Sequence, residues 1–286
     1  NGTDFGDTTH SWYAGFAVQD TVRGIAGGGQ TPDSPNNMNN GLDIITMRTT
    51  GNATEFGDLT LNSGGRYAAG GASNATRGLI AGGRYNPNTY TNAIGFITMA
   101  TQGNEVDFGD LTLARWEIHG GMASSTRAVF QSGDAPGIPS ASADNRIDFV
   151  HIASTGNAVD FGNLIEVTEH AAGASSPTRG MVAGGNPGTA NRIQFITITT
   201  LGDAEDFGDL PTTTNSSNAS SNGIKAFVCG GNTPSPFSPT SIFTVTMATE
   251  GEAADYDDLV TSPNYLPQLG TVANSNKAIV AGGVTN

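Results

Sequence analysis

Carboxylates three residues apart recur along the chain inside one word. NEVDFGDLTLAR carries Asp107 and Asp110, and edited copies read NATEFGDLTLNS, NAVDFGNLIEVT and DAEDFGDLPTTT. Repeated acidic pairs suggest calcium, but a calcium ion takes six to eight oxygen ligands. In a strand, moreover, residues three apart point to opposite faces. The word is therefore expected to hold no metal. By the same alternation Phe108 and Asp110 share a face, so the ring enters a layer between sheets with the carboxylate beside it, and the glycine sits where another backbone passes close. Asp7, Asp58, Asp110, Asp209 and Asp258 occupy that carboxylate position. The basic residues in repeat register, Arg23, Arg77, Arg127, Arg179, Lys225 and Lys277, are expected to be their counterions. Such pairs fix geometry more than they add stability.

Other constellations of catalytic residue types are missing. His10, His119, His151 and His170 stand at different repeat offsets, and none belongs to an HExxH-type pair; they read as ordinary surface or core histidines. No serine sits in a G-x-S-x-G elbow, and no Gly-Gly pair belongs to a GxxxxGK[ST] phosphate loop. Neither enzyme activity nor a cofactor is expected.

The balance of charge narrows the partners. Among 286 residues, Asp and Glu outnumber Lys and Arg by 26 to 12, for a net charge of -14. That field repels phosphate backbones and anionic headgroups, which argues against nucleic acid or a membrane surface as partner. No run of about 18 apolar residues is present to cross a bilayer. With Cys229 as the only cysteine, no disulfide can form within the chain. The chain opens on Asn1 rather than Met, and reads as a processed or partial product.

These residues must be placed by a repeat. The aromatic of the word falls at Phe5, Phe56, Phe108, Phe161, Phe207 and Tyr256, at spacings of 51, 52, 53, 46 and 49 residues. About twenty residues further on, each basic residue opens an apolar run ending in glycine, as in RGLIAGG and RGMVAGG. A variable loop and a β-rich segment follow (LDIITM, IGFITM, IDFVHI, IQFITI, IFTVTM), then a tight turn such as TTGN, and the word returns. With a strand of small residues before the basic position (YAAGGAS, IHGGMAS, HAAGASS), each unit has four strands, a to d. Strand c is apolar on both parities, as in a sheet packed between two others, and strand a is small enough for a crowded axis. Residues 1–286 are thus expected to form one all-β domain, a β-propeller of six blades of four antiparallel strands with the N-terminal strand closing the last. The sixth copy of strand c is missing from the sequence.

A strand ending in Gly-Gly, a variable loop, a second strand, a tight turn and a late aromatic resemble the kelch repeat over nearly the whole chain. Phe or Tyr stands where kelch repeats usually have Trp. The GN...DFGDL wording is similar to repeats of virion structural and tail proteins of marine bacteriophages. Some kelch propellers are copper oxidases, but no combination of Tyr, Cys and paired His like theirs occurs here. The resemblance implies a non-enzymatic virion or extracellular module, a tail fibre or other receptor-binding part, that contacts a host surface glycan or neighbouring structural subunits, including copies of itself. The alternatives are a subunit of an extracellular microbial filament or surface layer, an intracellular kelch-type adaptor and a secreted carbohydrate-active enzyme. In such a ring the b-to-c loops and the d-to-a connections emerge on one side, and the loops are the least repetitive segments. Trp12, Tyr85, Tyr90, Trp116, Phe237 and Tyr265 lie on or beside them and are the candidates for stacking on a sugar or anchoring a partner.

Overall fold

The structure is a computed structural model describing residues 2–31, 37–85, 89–135, 143–187, 191–234, 237, 240–259 and 269–282. The repeat becomes a set of antiparallel sheets. Blade 1 is β1 (Phe16–Gln19), β2 (Arg23–Gly27), β3 (Gly41–Thr46) and β4 (Thr54–Asp58). Blade 2 is β5 (Gly70–Ser73), β6 (Arg77–Ala81), β9 (Ala93–Thr98) and β10 (Val106–Asp110), with a small hairpin, β7 (Arg84–Tyr85) and β8 (Thr89–Tyr90), in its b-to-c loop. Blade 3 is β11 (Met122–Ala123), β12 (Arg127–Gln131), β13 (Asp144–His151) and β14 (Val159–Thr168). Blade 4 is β15 (Ala172–Ser175), β16 (Arg179–Ala183), β17 (Arg192–Thr197) and β18 (Glu205–Asp209). Blade 5 is β19 (Asn218–Ser221), β20 (Lys225–Cys229), β21 (Ser241–Thr246) and β22 (Ala254–Asp258). A last, two-stranded sheet holds β23 (Gly270–Ala273) and β24 (Ala278–Ala281).

The innermost strands β1, β5, β11, β15, β19 and β23 neighbour one another in turn, and β23 packs on β1, so the ring closes as a β-propeller. Glycine, alanine and serine dominate these strands because larger side chains would collide at the axis. They line a central channel of about 570 Å³. Each a-to-b turn is built the same way. The side chain of Asp20, Asn74, Ser124, Ser176, Asn222 or Asn274 accepts hydrogen bonds from the backbone two and three residues on. The core lies in layers between successive blades. Phe56, Leu42 and Ile25 of blade 1, for example, pack with Ile80, Ile97 and Met99 of blade 2.

The recurring word fills this layer as expected of a wedge. Phe56, Phe108, Phe161 and Phe207 are buried. The main chain of each word interlocks with the following c-to-d turn. Gly103 N donates to Phe56 O at 3.1 Å and Glu105 N to Asp58 O at 2.8 Å, and later blades repeat the pattern. A Cβ on Gly57 would lie 2.3 Å from Gly103 O, so glycine is required by close approach.

Three expectations need correction. First, the ring has five four-stranded blades, not six. Among the described residues the final sector has only β23 and β24, and the N-terminal segment forms no fourth strand there. They do reach the sector: Gly2 N donates to Asp258 O at 3.0 Å, Gly51 N to Phe5 O at 2.9 Å and Ala53 N to Asp7 O at 2.8 Å. These bonds match those of a word in strand d, but among the described residues no strand c lies between this segment and β24.

Second, among the described residues Asp7, Asp58, Asp110, Asp209 and Asp258 do not pair with the registered cations. Register explains why. Asp110 lies opposite Ala93 at the start of β9 and Arg77 opposite Thr98 at its end. Five residues of strand, roughly 17 Å, separate them. The cations bind the neighbouring blade instead: an Nη1 of Arg23, Arg77, Arg127 and Arg179 donates to the carbonyl of Met99, Ile152, Ile198 and Met247, at 2.9, 2.8, 2.9 and 3.2 Å. Lys277 Nζ likewise donates to Arg48 O at 3.0 Å. Lys225 is exposed.

Third, every c-to-d pairing carries a register shift at the word's aromatic. Asp107 lies opposite Gly95 and Asp110 opposite Ala93, so this β-bulge returns both carboxylates to one face and removes the alternation argument made from sequence.

Candidate functional site on the loop face

In each of the five four-stranded blades the connection into strand a bridges to the third residue after strand b. The pairs are Tyr13 with Gln30, Tyr67 with Arg84, Trp116 with Asp134, Glu169 with Asn186 and Asn215 with Asn232. The b-to-c loops and d-to-a connections thus share one face, as the strand order implies. The next residue in each connection, Ala14, Ala68, Glu117, His170 or Ser216, has a left-handed backbone with φ of 52°, 54°, 58°, 58° and 57°. That conformation costs a non-glycine residue about 1 kcal/mol or more. Its fivefold recurrence makes it part of the framework, a sharp turn that carries the chain from the loop face down into the channel wall.

Half of this ring is aromatic. The Tyr13 and Tyr67 rings meet edge-on at 5.8 Å, while Tyr67 and Trp116, at 5.6 Å, and Trp116 and Tyr90, at 5.8 Å, are tilted by 35° and 47°. The Arg84 guanidinium lies 4.7 Å from the Tyr67 ring centre and 4.6 Å from that of Trp116, a cation held over two aromatic faces. Edge groups are also tied: Tyr13 OH donates to Gln30 Oε1 at 2.5 Å and Trp116 Nε1 to Asp134 Oδ2 at 2.8 Å. Tyr67 is buried, while Tyr13, Arg84, Tyr90 and Trp116 are half-buried. Burial raises the Tyr13 phenol pKa against the opposing pull of Arg84, so its hydroxyl stays a donor at neutral pH.

The support beneath is ionic. Arg66 and Arg115, immediately before Tyr67 and Trp116, are fully buried. Arg66 pairs with Glu105, and Arg115 Nη2 lies 3.2 Å from Asp148. Burial lowers the Arg66 pKa to about 9, and lowers that of Arg115 against the pull of Asp148 and Asp144. Arg66 therefore remains cationic at neutral pH. Their carbonyls accept Gly29 N at 2.7 Å and Gly83 N at 2.9 Å from the preceding blade. The aromatic shelf thus rests on backbone shared between blades.

The adjoining part of the ring is polar. Glu117 Oε2 lies 2.6 Å from His119 Nε2 and 3.1 Å from His170 Nδ1, and the two imidazoles are 5.1 Å apart. Burial pushes the Glu117 carboxyl up, but hydrogen bonds and charge from the two histidines prevail and hold it at about 2. Burial lowers the His170 pKa, yet its bond to Glu117 and the charges of Glu117, Glu169 and Asp134 raise it overall. Burial raises Glu169 against His170 and Asn186, and Asn186 Nδ2 donates to its Oε1 at 3.2 Å.

Of the residues singled out from sequence, Trp116 and Tyr90 come together in the aromatic shelf. Tyr85 is half-buried on the adjoining hairpin. Trp12 is not displayed: it is 2% exposed, wedged against Gly270 and Gly282 of the two-stranded sector. Phe237 lies edge-on to Phe243 at 5.2 Å and covers the core of its own blade. Tyr265 lies outside the described residues, as do the central parts of several b-to-c loops. Sequence reasoning missed Tyr13, Tyr67, Arg84, Glu117, His119 and His170. The signal was present: aligning WYAG, RYAA, RWEI, TEHA and TNSS places Tyr13, Tyr67 and Trp116 in one column and Glu117 and His170 in the next.

No protein-family model and no curated protein matches the chain, so the face is interpreted from its own chemistry. The aromatic half combines the half-buried Tyr13, Tyr90 and Trp116 rings with Arg84 over the Tyr67 and Trp116 faces and Asp134 at the Trp116 edge, a mixture of apolar and hydrogen-bonding groups suited to polyhydroxylated rings that are apolar on one face and hydrogen-bonding around the rim.

Proposed function

We propose that this propeller is a non-enzymatic recognition module, virion- or tail-associated, whose loop face binds a carbohydrate of a host surface. The observation that carries this reading is the Tyr13, Tyr67, Trp116 and Tyr90 shelf with Arg84 across three adjoining blades. The kelch-like repeat and the phage-like wording of the sequence supply the virion setting. The acidic surface fits a neutral or cationic target better than an anionic one. A glycan array followed by calorimetry tests the reading, with Trp116→Ala and Tyr90→Ala as variants. Loss of a stacking anchor should weaken binding at least tenfold, about 1.4 kcal/mol. An array with no hit, or a hit unaffected by both variants, overturns it.

A second reading, a filament or surface-layer subunit, is favoured by the final sector. β24 pairs only with β23 among the described residues, and Tyr256, at the wedge position of blade 5, is 58% exposed. In this reading a neighbouring subunit adds an extended segment with the pattern of the c strands at the outer edge of β24. A synthetic peptide with the sequence of residues 93–98 should then raise the melting temperature and bury Tyr256. A protein that stays monomeric at high concentration and ignores the peptide rules this reading out.

A further inference from the structure

We propose that Glu117, His119 and His170 form a binding site for a divalent transition-metal ion, with Zn²⁺ as the reference ion, that staples blade 3 to blade 4 at the loop end of the channel.

The donor set supports this inference. Two imidazole nitrogens and a carboxylate oxygen lie within 4.8 Å of one another. Two histidines and a glutamate are an established zinc ligand set that leaves a fourth position for water. Tetrahedral zinc with bonds of roughly 2.0–2.1 Å requires ligand atoms about 3.3 Å apart. Glu117 Oε2 is already 3.1 Å from His170 Nδ1, and its 2.6 Å contact with His119 Nε2 needs to open by well under about 1 Å. The outer contacts also fit. Glu169 Oε1, held by Asn186, lies 3.9 Å from His170 Nε2, the nitrogen that would not bind the ion; this is beyond hydrogen-bond distance, and a shift of under about 1 Å would give the carboxylate support usual behind a ligating imidazole. Glu169 and Asp134 add negative potential around His170.

Position in the repeat sharpens the argument. Glu117 and His170 hold the same left-handed place in successive connections, where the other three blades have Ala14, Ala68 and Ser216. Among the described residues, only at this junction do two adjoining copies of that position both carry metal-ligating side chains, and His119, two residues after Glu117, is the third. The His170 side chain is 22% exposed, which gives an ion a route in. Without an ion, the same groups form a hydrogen-bonded ionic triad.

The test uses the whole chain, stripped with EDTA and then titrated with Zn²⁺ or Co²⁺. Wild type should take up about one equivalent, melt about 5 °C higher in excess Zn²⁺ and show the visible absorption of tetrahedral Co²⁺. Because Glu117 and His119 are buried and their variants risk misfolding, His170→Ala is the deciding variant. It should abolish the spectrum and the thermal shift, whereas His151→Ala keeps both. No uptake by wild type, or uptake that His170→Ala leaves unchanged, shows that the triad is only a hydrogen-bonded clasp and overturns the proposal.

Discussion

Phe207 and Tyr256 hold the same place in successive copies of the repeat, yet Phe207 is 3% exposed and Tyr256 is 58% exposed. The difference lies in the neighbour. Phe207 packs with Phe195 of its own blade and also in the cluster that holds Val245 of strand c of blade 5 and Met247 just after it. Tyr256 meets Phe227 of its own blade at 5.4 Å, and in the sector beyond it β23 and β24 are the only strands among the described residues. A wedge in strand d is therefore buried by the following blade, and the word belongs to the joint between two units. The same joint explains the adjacent residue. Gly208, at φ 144°, has Gly251 O only 2.5 Å from where a Cβ would stand, whereas blade 5 carries Asp257 at that position.

The comparison can be broken most directly at the rings. Phe207→Ala should cost about 3–5 kcal/mol in chemical denaturation, and Tyr256→Ala under about 1 kcal/mol, because only the first leaves a cavity. Equal losses would mean that each blade buries its own aromatic. A smaller effect is expected at the next residue. Gly208→Ala should destabilise by about 1–3 kcal/mol through backbone strain and collision, while Asp257→Ala should keep the melting temperature within about 2 °C.

The smallest effect concerns pH and the contrast between the polar and aromatic halves of the loop face. Glu117 falls from its ordinary 4.5 to about 2, so its contribution to stability is present above 4.5 and is lost as pH drops toward 2. His170 is raised above its ordinary 6.5, so its contribution is full below 6.5 and is lost as pH rises through the raised value. In EDTA, the difference in melting temperature between wild type and His170→Ala should therefore peak between about 4.5 and 6.5 and shrink on both sides. A Tyr90→Ala comparison should be flat over that window.

Much of the architecture was legible because it is written in period and residue size. The spacing of Phe56, Phe108, Phe161 and Phe207 located the wedges, the small residues of strand a located the axis, and the glycine of the word marked a close approach. The candidate site was legible only in part: Trp116 and Tyr90 stood out as unrepeated aromatics, while Tyr13 and Tyr67 looked like ordinary members of their segments. Trp12 stood out equally and is core, since an indole beside glycines fills an inter-blade gap as readily as it displays a face.

The sequence alone determined the local properties of each unit: which segments are extended, where they turn, which are crowded and which vary. Tertiary structure decided every pairing across units. The registered arginines bind carbonyls of the next blade because strand register carries the aspartates to the far end of strand c. The bulge at each aromatic reset the side-chain alternation. Glu117, His119 and His170 converge because two left-handed turns, about fifty residues apart in the chain, lie side by side around one axis, and the sequence period does not encode that proximity.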